Sequence, residues 1–410
     1  MQLKHFLPLA LGAGASAQNL TAALASQNSS LSSLNASVAS SFSVYKQTPH
    51  SVHTVQAFPY GPLLATQPAL VSSLGNATNI TILAPNNDAL DAFLKSPAGA
   101  TAATDPSAVG ALLMYHVLQG NYSASTFTNA SQFLPTLLTN ATYANVTGGQ
   151  RVEASLNGSS VDFFSGLLQE STVTTANVNF TGGTIHIINT VLAIPSSPAD
   201  TATSLNLTSL AGALTEANLV STVDSLRDIT IFAPSNAAFQ AIGSALGDLT
   251  TQELAGILEY HVVNGTVGYS SMLSNTTLPT VGGGQVTITI ENGIVFVNSA
   301  KVVTPNVLVS NGVVHVIDGV LNPNNTSAAP PTSDASTTTP AFSGASSVST
   351  VPFTSGITAS TTVTSTPTHA PTSSSSSGIA AGLAMPTGAV GMGALFGGAG
   401  AAVLMGVGGL

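Results

Sequence analysis

Three short blocks of this 410-residue chain occur twice and in the same order. Residues 81–87 (TILAPNN) return as 230–236 (TIFAPSN), Tyr115-His116 returns as Tyr260-His261, and residues 185–189 (IHIIN) return as 314–318 (VHVID). Matched blocks in a fixed order indicate a duplicated domain, in which both copies fold around the same elements. A residue present in both copies is therefore more typical of the scaffold than of a single active site.

The second copy is predicted to begin with helices. Periodic apolar residues and capping signals predict helices over residues 205–223, 237–246 and 254–260. Ser235 or Asn236 can accept the free amides at the start of the second of these helices. Thr250 and Glu253 have the spacing of a capping box and mark the start of the third.

Strands dominate the rest of this copy. Short β-branched and aromatic runs predict strands at residues 228–233, 285–290, 294–298, 307–309 and 313–317. Asn292-Gly293 and Asn311-Gly312 are strong hairpin signals between the later ones. Because most helices come before most strands, the pattern predicts an α+β domain rather than a parallel βαβ sheet.

The first copy has the same order with a longer middle. Asp105-Pro106 predicts the start of a helix that runs to Tyr115-His116, since proline suits the first helical position. More residues separate this helix from the final strand than in the second copy. The excess is predicted to be a glycosylated loop insertion, and its acceptors are Asn140, Asn145 and Asn157.

The N-terminal segment has the parts of a secretory signal peptide. Lys4 precedes an apolar run over residues 6–13 and a small-x-small site, which predicts cleavage after Ala17. The run is too short to span a bilayer, so a membrane helix is the weaker alternative. Cleavage would leave Gln18 as the first residue of the mature chain.

The C-terminal segment has the layout of a glycosylphosphatidylinositol (GPI) attachment signal. Residues 379–410 hold no charged residue, and no Lys or Arg follows them as a retained membrane helix would require. Small residues and a spacer precede the apolar tail, which predicts lipid attachment at Ser376 and removal of residues 378–410. Residues 324–377 are almost entirely Ser, Thr, Pro and Ala, and are predicted to form a disordered, O-glycosylated stalk.

Composition narrows the function further. Charged residues make up 5% of the chain, with 16 acidic and 6 basic side chains, so nucleic-acid binding lacks its electrostatic basis. The chain has no cysteine, and each copy must rely on an apolar core rather than on disulfides. Asn-x-Ser/Thr sites are dense, and each predicts a surface position in a secreted protein. The predicted acceptors are Asn19, Asn28, Asn35, Asn76, Asn79, Asn121, Asn129, Asn140, Asn145, Asn157, Asn179, Asn206, Asn264, Asn275, Asn324 and Asn325.

The duplicated histidines admit two interpretations. His116 and His261 lie at helix-to-strand junctions and form either an exposed recognition patch with Tyr115 and Tyr260 or a buried lock on the junction. We favour the buried alternative, in which each side chain bonds neighbouring backbone. His186 and His315 are predicted to be structural, and Asn189 and Asp318 to cap the turn after their strand.

Catalytic and metal sites are not predicted. A structural zinc site uses four Cys or His ligands at short spacing. This chain has no cysteine, and the histidines of its repeated blocks are not closely spaced in sequence. No Gly-x-Ser-x-Gly elbow appears in either copy. We therefore predict no metal, no cofactor and no enzymatic activity, with a secreted hydrolase as a remote alternative.

The duplicated blocks resemble those of the fasciclin-domain family. Residues 81–90 and 230–239 are similar to its first block, the two Tyr-His pairs to its middle block, and residues 185–192 and 314–321 to its closing block. The resemblance covers about residues 30–195 and 200–322. The first copy departs slightly, with Asn86-Asn87-Asp88 in place of the usual Ser/Thr-Asn opening.

The resemblance implies an α+β fold with helices packed around a β-wedge or sandwich, and an extracellular adhesion or matrix role without catalysis. Attachment through the tyrosine–histidine region in the family nominates Tyr115, His116, Tyr260 and His261 as binding residues. We expect two fasciclin domains, at residues 18–195 and 200–323, on a GPI-anchored stalk at the cell surface or in the wall. Expected partners are surface proteins, wall polysaccharide or a second copy of the chain. The alternative is a wall-structural glycoprotein whose glycans crosslink while the domains act as spacers.

Overall fold

The computed structural model describes residues 19–27, 29–32, 67–325, 327–329 and 341–359. The predicted cleavage site after Ala17, the acceptors Asn28 and Asn35, and the lipid-attachment residue Ser376 lie outside these residues. The apolar tail and much of the predicted stalk also lie outside them. Within the described part of the chain, no helix is both long and apolar enough to cross a membrane.

In both domains the α-helices lie before and after the first strand, and the other strands follow them. Those of the first domain are α1 (Leu20–Ser26), α2 (Pro68–Asn76), α3 (Asn87–Lys95), α4 (Pro97–Thr104) and α5 (Pro106–Tyr115). Those of the second domain are α6 (Pro198–Ser204), α7 (Thr208–Glu216), α8 (Val220–Ser225), α9 (Asn236–Ala241), α10 (Gly243–Leu246) and α11 (Thr251–Tyr260).

Local capping chemistry places several of these helix starts where the sequence predicted them. The Thr250 hydroxyl accepts from the Glu253 amide, and the Glu253 carboxylate accepts from the Thr250 amide, which confirms the capping box. Asp105 caps α5, and Ser235 caps α9. The single helix predicted over residues 237–246 is wrong, because the backbone leaves helical geometry at Ile242 and divides it into α9 and α10.

Each domain contains one seven-stranded sheet. The strands of the first are β1 (Ile80–Pro85), β2 (Val117–Gln119), β3 (Gln132–Pro135), β4 (Arg151–Asn157), β5 (Ser160–Phe164), β6 (Glu170–Phe180) and β7 (Gly183–Ile188). Those of the second are β8 (Ile229–Pro234), β9 (Val262–Val263), β10 (Thr276–Pro279), β11 (Gln285–Glu291), β12 (Ile294–Val297), β13 (Ala300–Val309) and β14 (Gly312–Ile317).

The two sheets have the same topology, which confirms the duplication. Their orders are β2-β1-β7-β6-β5-β4-β3 and β9-β8-β14-β13-β12-β11-β10. Neighbouring strands are antiparallel except for β1 with β7 and β8 with β14, which are parallel. The α+β class is therefore confirmed, with one parallel pair that brings the first and last repeated blocks of each domain side by side.

Strand β13 is much longer than the predicted segment of residues 307–309. Its pairing with β14 is irregular between Val302 and Val307, and Asn306 adopts a positive φ of 62°. Pro305 lacks an amide donor and lies in this irregular stretch, which hid the strand from a pattern-based prediction. β6 has the same bulge at Asn177, with a φ of 59°.

Each barrel-like sheet has an apolar core on both faces. In the first domain, one face packs around Tyr115 and Phe163, and the other packs Leu20 and Leu24 of α1 against Ile185. The second domain repeats this arrangement, with one cluster around Phe232 and Tyr260 and another beneath α7, α9 and α11. At about 0.8 kcal/mol per buried methylene group, these cores supply the stability that disulfides supply in many small secreted domains.

Part of the predicted stalk lies against the second domain. Residues 341–359, which we call the strap, contact the helices of that domain, and Phe342, Phe353 and Ile357 pack against its core. The prediction of a disordered stalk is therefore wrong for these residues. Apolar side chains spaced along a Ser/Thr-rich segment find a matching apolar surface, which composition alone does not reveal.

Candidate functional site

The Tyr-His pairs lie at the junction where the last helix before the sheet turns into a short strand. His116 follows α5 and His261 follows α11, each as the residue that ends the helix. The His116 ring donates from Nδ1 to Leu112 O over 2.8 Å, and its Nε2 accepts from Leu192 N over 2.9 Å. Because a carbonyl only accepts and an amide only donates, these contacts fix one neutral tautomer.

The second domain reproduces this geometry. His261 Nδ1 lies 2.7 Å from Ile257 O, and its Nε2 accepts from Leu321 N over 2.9 Å. The neighbouring tyrosines also act alike, since Tyr115 donates to Arg151 O and Tyr260 to Gln285 O. Each pair therefore ties the end of a helix both to the first residue of β4 or β11 and to the segment after β7 or β14.

The second pair of histidines secures the bulges in β6 and β13. His186 Nε2 lies 2.9 Å from Tyr122 O, and His315 Nε2 lies 2.7 Å from Gly268 O. Their Nδ1 atoms accept from the amides of the left-handed residues Asn177 and Asn306, each over 3.3 Å. The predicted structural role of these histidines matches this geometry.

All four rings are held neutral by burial. Desolvation lowers the pKa of His116, His261 and His315 to about 4, against a smaller opposing effect of their backbone hydrogen bonds. Burial also lowers the pKa of His186. A neutral, fully hydrogen-bonded imidazole has no nitrogen left for a metal or a substrate proton.

The Tyr-His residues are not a surface patch. Tyr115 and Tyr260 have no exposed surface, and His116 and His261 are 5% and 2% exposed. Their burial and hydrogen bonds match the alternative in which they lock the junction. A role of these four residues in binding stays a prediction, and it would act through the surface that they support rather than by direct contact.

Asn189 and Asp318 close the sheet rather than cap a turn. Asn189 Oδ1 accepts from Thr172 N over 2.8 Å, and Asp318 Oδ1 accepts from Lys301 N over 2.7 Å. Their own amides donate back to the carbonyls of the same two residues. The predicted turn cap is therefore wrong, because the side chains extend the antiparallel ladder between the last two long strands of each domain.

One cavity lies beside His261, within the apolar core of the second domain. Its volume is about 20 Å³, and Leu210, Leu214 and Val314 are among its lining residues. This space suits a single water molecule, whereas pockets for small molecules typically measure hundreds of cubic ångströms. Over the described ranges, no group of three or more His, Cys, Asp or Glu residues could hold a metal ion.

The insertion of the first domain contacts the second domain. It forms the β3–β4 connection, residues 136–150, whose counterpart is only residues 280–284. Asn145 N donates to Ser310 O over 2.6 Å, and both the amide and the hydroxyl of Thr147 donate to the Asp228 carboxylate. Gln150 Nε2 donates to Val309 O over 3.0 Å. The predicted loop insertion is therefore present, its glycosylation stays a prediction, and its role in joining the two domains was not predicted.

Aromatic and polar contacts continue this interface. The rings of Phe133 and Tyr269 stack with centroids 4.1 Å apart and an interplanar angle of 15°. Beside them, Glu153 accepts from the Ser131 hydroxyl and from Asn306 Nδ2 of the second domain. Nothing in the sequence pattern predicted these contacts, and the difference in length between the two repeats was the only available signal.

Glu153 makes this interface sensitive to pH. Burial raises the pKa of its carboxyl group to about 7, against smaller opposing effects of its two hydrogen bonds. The unfolded chain releases this proton near pH 4.5. The folded state therefore binds more protons between these pH values, and the contribution of Glu153 to stability is lost as the pH rises through 7.

We expect Glu153→Gln to be about 2 kcal/mol more stable than wild type at pH 8.5 and nearly equal to it at pH 5, since glutamine keeps both acceptor contacts without ionising. Urea unfolding at the two pH values measures the difference. Glu216→Gln, at an exposed carboxylate, is the matched control and is expected to change stability little at either pH. Equal stability of Glu153→Gln and wild type at pH 8.5 would contradict the buried carboxyl.

Most predicted glycan acceptors lie on the surface. The exposed ones are Asn19, Asn76, Asn79, Asn121, Asn129, Asn140, Asn157, Asn179, Asn206, Asn264, Asn275 and Asn324. Asn157 lies at the β4–β5 turn rather than in the insertion, which corrects the prediction. Asn145 and Asn325 are half-buried, and Asn145 Nδ2, the atom that would carry a glycan, donates to Leu226 O over 3.0 Å.

We expect Asn145 to be unmodified in folded, secreted protein, whereas exposed acceptors such as Asn140 carry glycans. A glycan on the half-buried Asn145 Nδ2 would replace one of its two N–H donors, which point to the Ser225 and Leu226 carbonyls of the second domain. Glycopeptide mass spectrometry of the secreted chain measures occupancy, and Asn140, five residues away, is the internal control. Full occupancy at Asn145 in protein that unfolds cooperatively would contradict the interface.

Comparisons with known proteins identify a matching family and several similar chains. A fasciclin-domain family model matches residues 63–195 and 205–323. A fasciclin-like arabinogalactan protein of Arthroderma benhamiae is 38% identical over 286 residues, covering 69% of this chain and 68% of that protein. The fasciclin-like arabinogalactan protein CTB11 of Cercospora beticola is 30% identical over 271 residues, covering 63% and 72%. A solved FAS1 domain pair from the insect cell adhesion molecule Fasciclin I matches with 20% identity and a TM-score of 0.32, over 65% of this chain and 96% of that chain.

The chain belongs to the fasciclin-domain family and carries two fasciclin domains in tandem. The resemblance predicted from three duplicated blocks is thereby confirmed. The structure explains why those blocks recur, since the first and last form the parallel strand pair, and the middle one locks the helix end against it.

Proposed function

We propose that this protein is a non-catalytic adhesion protein of the cell surface, acting through its pair of fasciclin domains. The observation that carries the proposal is that the histidines shared by the two repeats are buried and hydrogen-bonded within the fold. His116, His186, His261 and His315 all bond backbone groups. The surface that a partner meets is instead rich in Ser, Thr and predicted glycan acceptors, which suits recognition rather than chemistry.

Secretion and GPI anchoring complete the proposal. They are supported by the signal-peptide pattern before Gln18 and by the uncharged tail behind Ser376. The names of the relatives, fasciclin-like arabinogalactan proteins, fit an extracellular location. The proposed partners are surface proteins, wall polysaccharide or a second copy of this chain. The interface between the domains would present two binding faces at a fixed spacing, so that weak contacts could add.

A wall-structural role is the second candidate, and one observation favours it. Exposed glycan acceptors occur on both domains, for example Asn79 and Asn179 on the first and Asn206 and Asn275 on the second. A protein coated on both domains could crosslink wall polymers through its glycans, with the domains acting as spacers. The two candidates differ in which part of the molecule makes the contact.

Cell attachment to the immobilised secreted chain tests both candidates. The protein is compared before and after enzymatic removal of its N-glycans, and a thermal unfolding curve confirms that the domains stay folded. Attachment that survives deglycosylation supports adhesion through protein faces, whereas attachment that disappears supports the glycan-mediated wall role. If the glycosylated, folded chain holds neither cells nor wall polysaccharide, the adhesion proposal is wrong.

A further inference from the structure

The strap occupies a groove formed by α7, α9 and α10 on the second domain. Its apolar residues Phe342, Phe353 and Ile357 face the domain, whereas most of its Ser and Thr side chains are exposed. The ring of Phe353 meets that of Phe239 edge-on, with centroids 5.9 Å apart. The strap therefore has one apolar edge that binds and one hydroxyl-rich edge that stays in solvent.

Backbone hydrogen bonds set the register of the strap. Ser244 N donates to Ser346 O over 3.1 Å, and Ser346 N donates back to Ser244 Oγ over 2.8 Å. Val348 N donates to Gln240 O over 3.0 Å. Main-chain bonds of this kind hold an extended peptide, while pockets for particular side chains select its sequence.

Two glycines shape the groove to the strap. A Cβ atom on Gly212, inside α7, would lie 1.6 Å from the carbonyl oxygen of Phe353, and a Cβ atom on Gly243 would lie 2.1 Å from Val348 Cγ2. Glycine is a poor helix former, so its presence within α7 is not explained by the helix itself. Both positions leave room for a bound chain.

The connection to the strap is longer than its own groove requires. Residues 326–340 link Asn325 to Ala341, yet the side chains of Asn322 and Asn325 both donate to Ala341 O over 3.0 Å. Ala328 is buried, and an extended chain covers about 3.3 Å per residue, so the stretch of residues 330–340 alone can span about 36 Å. The strap can therefore reach the groove of another copy.

We propose that neighbouring copies of this chain bind one another by exchanging straps, with residues 341–359 of one copy seated in the groove of a second copy. The same contacts form in both arrangements, so exchange requires no new surface, and a reciprocal exchange gives a closed dimer. A copy's own strap competes at an effective concentration on the order of millimolar, so exchange requires neighbouring copies at a comparable local concentration. The exchange does not require that the domains bind cells or wall polymers.

Two complementary defects test the exchange in full-length chains. The groove variant is Gly212→Ala, which keeps its strap but cannot seat it, and the strap variant is Phe353→Ala with Phe342→Ala, which keeps an open groove. The two chains carry different affinity tags behind Ala17 and are expressed together in one secreting host. We expect the mixed pair to copurify at least five-fold more than two groove variants or two strap variants expressed together, because only the mixed pair joins a free strap to a free groove.

Matched variants show that the groove itself is responsible. Gly256→Ala changes a glycine of α11 that has open space around it, and it should not raise copurification with the strap variant to the level of Gly212→Ala. Gly243→Ala blocks the groove at its other end and should reproduce the effect of Gly212→Ala. Hydrogen exchange of α7 and α9 confirms that each variant is folded.

The outcomes separate exchange from a purely intramolecular role. Strap exchange is established if the strap variant copurifies with Gly212→Ala and with Gly243→Ala, but not to the same level with Gly256→Ala. If folded mixed pairs copurify no more than pairs with the same defect, the groove serves only its own chain and the proposal is wrong. Cell attachment plays no part in this readout, so its failure and that of the adhesion proposal remain distinguishable.

Discussion

Replacement of His261 by alanine is expected to destabilise the second domain by about 4 kcal/mol. The buried Leu321 amide would lose its acceptor and the Ile257 carbonyl would lose a donor, at about 1–3 kcal/mol for each unsatisfied group. The lost ring would also leave a cavity, which adds to the cost. His116→Ala is expected to act alike on the first domain, because its two contacts are the same. Chemical denaturation of each variant measures the change.

Tyr260→Phe is the matched control for His261→Ala. It keeps the buried ring and removes only the hydroxyl, which donates to Gln285 O and accepts from Asn298 Nδ2, so the expected loss is about 2 kcal/mol and stays below that of His261→Ala. Losses of less than 1 kcal/mol for both histidine variants would contradict the locking role. A variant that stays folded yet no longer supports cell attachment would instead place the Tyr-His region in binding.

Acidification is expected to destabilise the folded protein from about pH 6.5 downward. His116, His261 and His315 take up a proton near pH 6.5 when unfolded but only near pH 4 when folded. Between these values the unfolded state binds more protons, so stability falls as the pH falls. Each histidine contributes about 3 kcal/mol over this window, since one pKa unit corresponds to about 1.4 kcal/mol. Their contribution is fully present above pH 6.5.

Denaturation at several pH values between 7 and 5 measures this dependence. Glu153 opposes the histidines in the same window, because its folded-state pKa is raised to about 7. The net loss near pH 5.5 is therefore expected to be about 2 kcal/mol per pH unit, and Glu153→Gln should steepen it by about 1 kcal/mol per unit. A flat profile between pH 7 and pH 5 would mean that the histidines titrate normally in the folded protein.

The substitutions and the acid denaturation both test how the buried histidines stabilise the fold. Substitution removes the hydrogen bonds that lock each junction, and acid adds a charge that the buried ring cannot hold. Agreement between them would show that the most recognisable residues of the repeats stabilise the fold.

The sequence by itself determined the elements that depend on local chemistry and on repetition. The capping box of Thr250 and Glu253, the helix start at Asp105 and the duplicated domain could all be predicted, because each depends on residues close in sequence or on a second copy. Burial of the Tyr-His pairs followed from the same logic, since a residue kept in both copies without a motif around it is typical of a scaffold.

Only the tertiary structure decided how distant segments meet. The sequence predicted a loop insertion at residues 136–150 but not its contacts with Ser310 and Asp228. It predicted disorder for the strap, which packs against α7 and α9. Composition measures what a segment can bury alone, whereas its order depends on a surface that another part of the chain provides. That surface forms only when the second domain is folded, so no local pattern in the segment predicts it.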